Sequence, residues 1–276
     1  IEKYKADKTS LSFFDQVNWL GSNKNEYHKS VHSQVLQSTL KRLDGSFKRF
    51  FDGQKNGHRV GFPRFKNKHR FRSFCYPQSG FRLTNDLRRI TLSKFGSVRI
   101  KYSRPVQGKV KTCQIVKDVD QWFVVLACEV DAVKVPPSPK PDVGVDVGIN
   151  VLAYLSDGKK IENPRILKRS ESRLKNEQRL LSRKQKGKSN YNRQRVVIAK
   201  VHRKIRRQRD DFLHKASSWL VGNYGGIAFE HLNIAGMLKN GRLAKHIADA
   251  SWSKLVKMTS YKAEYAGSRV ALVDPR

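Results

Sequence analysis

Val143-Gly144-Val145-Asp146-Val147-Gly148-Ile149 decides how this sequence is read. Strand period two puts Val143, Val145 and Val147 on one face and Gly144, Asp146 and Gly148 on the other. Aspartate is unfavourable inside a strand, and an unpaired buried carboxylate costs several kcal/mol, of order 3–5. Glycine on either side removes side chains that would crowd the carboxylate and leaves room for a metal ion and a phosphate. A turn aspartate at a strand end, or one paired with a neighbouring base, is the other reading.

Downstream, the pattern is α/β. Val151–Leu155 reads as a second strand, turned at Asp157-Gly158 into Lys160-Ile161. Asn163 before Pro164 predicts an N-cap and first helical position. Two basic helices follow, broken near Gly187-Lys188-Ser189-Asn190. The second carries Val197, Val201, Ile205, Phe212, Ala216 and Trp219 on one stripe. Gly226–Phe229 is another strand with Glu230 at its C-terminal end, where open α/β sheets place their ligands. Asp249 or Ser251 is expected to cap a helix bearing Trp252, Leu255 and Val256 and ended by Gly267; Arg269–Val273 is a last strand. Two strand-end acids, Asp146 and Glu230, can hold Mg²⁺ through oxygen; with a third they form a two-metal site of phosphodiester hydrolysis. The other reading of Glu230 is a helix-side or linker acid pairing with the many bases.

Upstream, residues 134–142 hold four prolines and read as an extended linker. Residues 71–131 are short β-rich runs separated by Gly, Asn, Asp and Pro, which predicts a small antiparallel β-barrel or sheet. Before about residue 60 the period is helical: Phe13, Phe14, Val17 and Leu20, then Val31, Val35, Leu36, Leu40, Leu43, Phe47, Phe50 and Phe51. Between helices and strands lies Gly61–Arg70, with Arg64, Lys66, Lys68 and Arg70, no acid, and two phenylalanines. It reads either as a solvated loop with two core anchors or as a phosphate-binding loop whose aromatics stack on bases.

Charge narrows the class. Across 276 residues, 57 Lys or Arg face 23 Asp or Glu, a formal net charge of +34. A folded chain so charged repels itself unless a polyanion neutralises it, and nucleic acid is the obvious one. Residues 164–209 alone carry 18 Lys or Arg against two Glu. Arg183, Lys184, Lys186, Lys188, Arg203, Arg206 and Arg207 are the candidates there for a phosphate backbone. No apolar run is long enough to span a bilayer. Cys75, Cys113 and Cys128 form neither a disulfide framework nor a Cys-x-x-Cys zinc pair, so a reducing cytoplasm is expected. His28 and His32 have zinc-compatible i, i+4 spacing but no third ligand nearby.

Taken in order, the Gly144–Ile149 strand, the Leu155-Ser156-Asp157-Gly158 turn, Phe229-Glu230-His231-Leu232-Asn233 with Met237 and Asn240, Arg209–Lys215, Ala250-Ser251-Trp252, Tyr261-Lys262-Ala263 and Gly61–Phe65 resemble the transposon-encoded TnpB (OrfB) family. These are RNA-guided DNA endonucleases of insertion-sequence elements, similar to type V CRISPR effectors. The resemblance covers nearly the whole chain. It implies an α+β multidomain protein: a helical recognition lobe (1–70), a wedge-like β-barrel (71–133), the Pro-rich linker (134–142), and an RNase H-like RuvC nuclease domain (143–276) with a basic helical hairpin (164–222). Asp146 and Glu230 match the first two catalytic, Mg²⁺-binding carboxylates.

The resemblance also implies a guide RNA and target DNA as partners, in a monomeric ribonucleoprotein of the prokaryotic cytoplasm and nucleoid. The family's first wedge strand, its zinc ribbon and its third catalytic aspartate have no counterpart in these residues. The chain therefore reads as a C-terminally truncated excerpt with little or no cleavage of its own. A nuclease-dead RNA-guided repressor and a plain RNA-binding protein are the alternatives.

Overall fold

The computed structural model describes residues 10–67, 70–84, 86–131 and 135–274. The chain divides into two compact units, residues 1–132 and 133–276.

The first unit opens with α1 (Phe13–Ser22). Its capping box is Ser12 with Asp15: the Ser12 hydroxyl accepts from the Asp15 amide and the Asp15 carboxylate from the Ser12 amide. A short α2 (Glu26–Lys29) leads into α3 (Ser33–Lys55), whose first turn is capped by His32 Nδ1. His28, in the capping box of α2, and His32, the N-cap of α3, thus serve helix starts. Six strands follow: β1 (Ser73–Tyr76), β2 (Phe81–Leu83), β3 (Arg89–Leu92), β4 (Gly96–Arg99), β5 (Lys109–Asp118) and β6 (Gln121–Glu129).

These strands do not close a barrel. Among the described residues they form two antiparallel three-stranded sheets, β1-β5-β6 and β2-β3-β4. Closure requires tilted strands that pair on both edges, and β2, β3 and β4 are only three or four residues long. The two sheets instead share one core of Tyr76, Ile90, Leu92, Cys113 and Ile115, to which α3 adds Val35. Burial pushes the Cys113 thiol up to about 12, so it is a core residue and not a nucleophile.

The second unit is a five-stranded sheet, ordered β11-β10-β7-β8-β9. β7 (Asp142–Val147), β10 (Gly226–Glu230) and β11 (Arg269–Val273) are parallel; β8 (Val151–Leu155) and β9 (Lys160–Glu162) complete an antiparallel meander. Between β9 and β10 run α4 (Ile166–Ser182) and α5 (Ser189–Asn223). After β10 come α6 (Ile234–Met237), α7 (Ala244–Ala250) and α8 (Trp252–Ala266). Val143, Val145, Ile227 and Phe229 on one sheet face pack with Leu213, Leu220, Leu255 and Met258 of α5 and α8. Ile166 of α4 meets Val201 and Ile205 of α5 in a separate small core. The basic hairpin is therefore ordered by its apolar seam.

Two caps differ from expectation. Asn163 does not cap α4; the N-cap is Arg165, in the left-handed region at φ 45°. The carboxylate of Asp249, from α7, accepts from the Leu167 amide (3.0 and 3.2 Å) and from Arg209 of α5 (2.6 Å). Asp249 thus supplies from a distant element the anion that the N-terminus of α4 lacks locally. Ser251 makes no side-chain cap to α8.

The proline-rich stretch is likewise not a free tether. Ser138 donates to Gly267 O (2.8 Å), Gly225 donates to Pro141 O (2.9 Å), and Lys140 reaches Val221 O. At this same end of the sheet, Lys159 and Tyr224 both donate to Asp157, at 2.8 and 2.6 Å. These bonds hold the Asp157 carboxyl down at about 2. Among the described residues no helix is long and apolar enough to cross a membrane.

Candidate active site

The site starts from the strand register. Val145 of β7 pairs with Phe229 of β10, which pairs with Leu272 of β11. One residue further along, Asp146 and Glu230 stand at the same level on neighbouring parallel strands, whose backbones run about 4.8 Å apart. The faces alternate as the sequence predicts. Val143, Val145, Ile227 and Phe229 are buried, whereas Asp146 is exposed and Glu230 half-buried. Both acids line one open cavity of about 510 Å³, with Gly144, Tyr154, Ser156, Ala228, Val273 and Asp274. Ser156 closes the β7–β8 side: its hydroxyl accepts from the Gly144 amide (3.0 Å) and its amide donates to Gly144 O (2.9 Å).

The glycines beside Asp146 act differently. A Cβ on Gly144 would meet Ser156 at 3.7 Å, an ordinary contact; a Cβ on Gly148 would meet the Val151 carbonyl oxygen at 2.9 Å. Gly148 is therefore demanded by the hairpin itself, whereas Gly144 keeps the cavity floor bare.

Asp274 follows Val273, the register partner of Glu230, and also lines the cavity. Its carboxylate lies 2.9 Å from His231 Nδ1. Among the described residues no group of three His, Cys, Asp or Glu is arranged to hold a metal. The donor chemistry nevertheless fits one Mg²⁺, which is usually held by one or two carboxylates together with substrate phosphate and water. It does not complete a two-ion site.

The basic candidates lie in both units. Arg64 and Lys66 are exposed on the irregular segment after α3; Lys66 Nζ sits 5.4 Å over the Phe71 ring, and Arg70 closes a short turn on Asn67. Lys68 lies outside the described residues. Of the two phenylalanines, Phe62 packs edge-on to Phe47 and Phe50 yet is 50% exposed, and Phe65 is 95% exposed. In the second unit Arg183, Lys184, Lys186 and Lys188 occupy the α4–α5 connection, and Arg203, Arg206 and Arg207 lie along α5. The sequence placed Trp252 on the apolar face of a helix and not at the site; its indole Nε1 donates to Gly148 O (3.2 Å), two residues past Asp146. The tryptophan and the carbonyl are over a hundred positions apart, and no local pattern joins them.

Comparison with known proteins places these features. Residues 125–241 match the OrfB IS605 family, described as "Probable transposase". A protein of Streptomyces pristinaespiralis named "Putative RNA-guided DNA endonuclease" is 35% identical over 261 residues, covering 93% of this chain and 63% of that protein. "Putative RNA-guided DNA endonuclease InsQ" of Escherichia coli K12 is 32% identical over 294 residues, covering 99% of this chain and 71% of its own. The chain thus spans less than two thirds of the Streptomyces relative. Among solved structures, the chain is similar in fold to one in the Cas12f1–sgRNA–target DNA complex. The TM-score is 0.51 at 11% identity, over 88% of this chain and 61% of that one.

Proposed function

The chain belongs to the OrfB (TnpB) family of IS605 elements, and from that premise we propose that it serves an RNA-guided, Mg²⁺-dependent DNA endonuclease of a mobile element. The observation that carries the reading is the pair Asp146 and Glu230, level on adjacent parallel strands and lining one cavity. The strand order, with its antiparallel meander on one side of β7 and parallel strands on the other, supports an RNase H-like RuvC core for residues 143–276. The names of the relatives support the guide RNA and target DNA as partners.

In this reading Asp146 and Glu230 hold the metal, and the bare strand at Gly144 admits a phosphodiester to them. The ion, when bound, supplies charge stabilisation and a more acidic water. Ser156 keeps the β7–β8 hairpin in register under Gly144. The α4–α5 connection and the Arg64–Arg70 segment neutralise backbone phosphates. The helices before residue 70 act as a recognition lobe on the guide–target duplex, and the two small sheets act as a wedge on the RNA. Base pairing reads the target sequence, while the protein reads backbone charge and shape. The protein works in the bacterial cytoplasm, on the nucleoid. Asp274 lines the same cavity, but among the described residues these acids are not arranged as a three-ligand metal group, so this chain by itself is expected to cleave little or not at all.

The test is expression with the native flanking DNA, followed by sequencing of the RNA that co-purifies. One enriched species ending in a variable segment is expected, and Asp146→Ala in the complete protein should abolish cleavage while keeping that RNA. A smear of host RNA, or undiminished cleavage by Asp146→Ala, overturns the reading.

A further inference from the structure

The turn that follows Asp146 is gripped from outside at three successive residues. Trp252 Nε1 donates to Gly148 O at 3.2 Å. The Asn163 side-chain amide donates to Ile149 O at 2.7 Å, and Arg165 donates to the Asn150 side chain at 2.9 Å. Asn163 is fixed in turn, because its Oδ1 accepts from the Arg165 amide at 3.0 Å. The turn has little slack of its own. Gly148 donates to Leu152 O at 3.1 Å, and the Val151 carbonyl leaves no room for a Cβ at Gly148.

Backbone strain in the second unit gathers at the same place. Its two non-glycine residues with positive φ, among those described, are Arg165 (45°) and Ser251 (55°). Arg165 is one of the gripping residues, and Ser251 immediately precedes Trp252. Left-handed geometry at such residues is strained and persists where the surroundings over-determine it. Ser251 is held by its hydroxyl, which donates to Ala248 O at 2.9 Å. Trp252 itself is 3% exposed. Packing alone explains a buried ring. It does not explain an indole N–H aimed at the carbonyl two residues past Asp146, beside a strained serine.

We propose that Trp252, with Asn163, is a positioning residue for Asp146: by holding the Gly148 and Ile149 carbonyls it fixes the β7–β8 turn and so the level at which Asp146 meets Glu230. This rests on the metal-site reading of Asp146 given above. Neither residue touches substrate; both act through the backbone of the turn.

The test uses Trp252→Phe, which keeps an aromatic ring and loses the N–H, and Asn163→Asp, which keeps the acceptor for Arg165 and loses the donor to Ile149. Leu255→Ala, at a fully buried core position, is the control for general destabilisation. Amide hydrogen exchange is read at Gly148 relative to Ile227 of β10, and Mn²⁺ affinity by electron paramagnetic resonance. Either positioning variant should speed Gly148 exchange about tenfold over Ile227 and weaken Mn²⁺ binding about tenfold. Leu255→Ala should leave the Gly148-to-Ile227 ratio unchanged. An unchanged ratio in both positioning variants overturns the proposal, as does unchanged Mn²⁺ affinity when Asp146→Asn has lost it. If Asp146→Asn binds Mn²⁺ as well as the unsubstituted chain does, the metal-site reading falls and the positioning proposal falls with it.

Discussion

Gly144 and Gly148 flank Asp146 symmetrically in the sequence, and the same reason, space for a ligand, covers both there. The folded chain separates them. At Gly148 an added Cβ is 2.9 Å from a backbone oxygen that cannot move without opening the hairpin; at Gly144 it would rest 3.7 Å from Ser156. Gly148→Ala should therefore lower stability by about 1–3 kcal/mol, the usual cost of overpacking, and shift the melting temperature accordingly. Gly144→Ala should fold within about 0.5 kcal/mol of the parent yet weaken Mn²⁺ or phosphate binding at the cavity. Urea denaturation and Mn²⁺ titration of both variants decide this. A destabilised Gly144→Ala with normal binding would show that the glycine serves the strand and not the site.

At the scale of elements, what was legible followed from local pattern. The alternation in Val143–Ile149, the Asp157-Gly158 turn and the stripe through Val201 and Ile205 each fix an element from its own residues. They led to the acidic pair because Asp146 and Glu230 sit where two strands end. What was not legible depends on partners far along the chain. Asn163-Pro164 looks like a cap, but the α4 N-terminus is served by Asp249, 82 positions away. Asn163 is used instead on Ile149. The barrel failed for a related reason: composition marks strands, while closure depends on strand length and edge pairing between segments.

The α4–α5 hairpin carries the next prediction. Its apolar seam orders the helices, and Arg183, Lys184, Lys186 and Lys188 stand on the connection between them, so replacing all four with Gln leaves the seam intact. If they contact duplex phosphates, the slope of log K against log salt should fall by about 0.9 per lost contact, about 3.6 in all. The melting temperature should hold. Filter-binding isotherms from 50 to 300 mM NaCl measure the slope, and an unchanged slope would remove the connection from the nucleic-acid interface.

At the scale of the molecule the governing quantity is a net charge of +34. Ion pairs do little to offset it. Several described pairs, such as Lys111–Glu129 and Lys215–Asp211, are exposed on both sides and contribute about 0–1 kcal/mol each. The chain without nucleic acid should consequently gain stability from salt, since the Debye length shrinks from about 10 Å at 0.1 M to about 3 Å at 1 M and self-repulsion is screened. Bound RNA should reverse the trend. At a free concentration of about 100 times Kd it stabilises the fold by about 2.7 kcal/mol, but that increment must decay as salt weakens binding. The two melting curves, one rising with NaCl and one falling, should converge near the concentration at which RNA dissociates. Differential scanning fluorimetry across NaCl concentrations, with and without the co-purifying RNA, tests this directly. Parallel curves would mean that RNA is bound through contacts salt does not reach, and that the excess charge has some other counterpart.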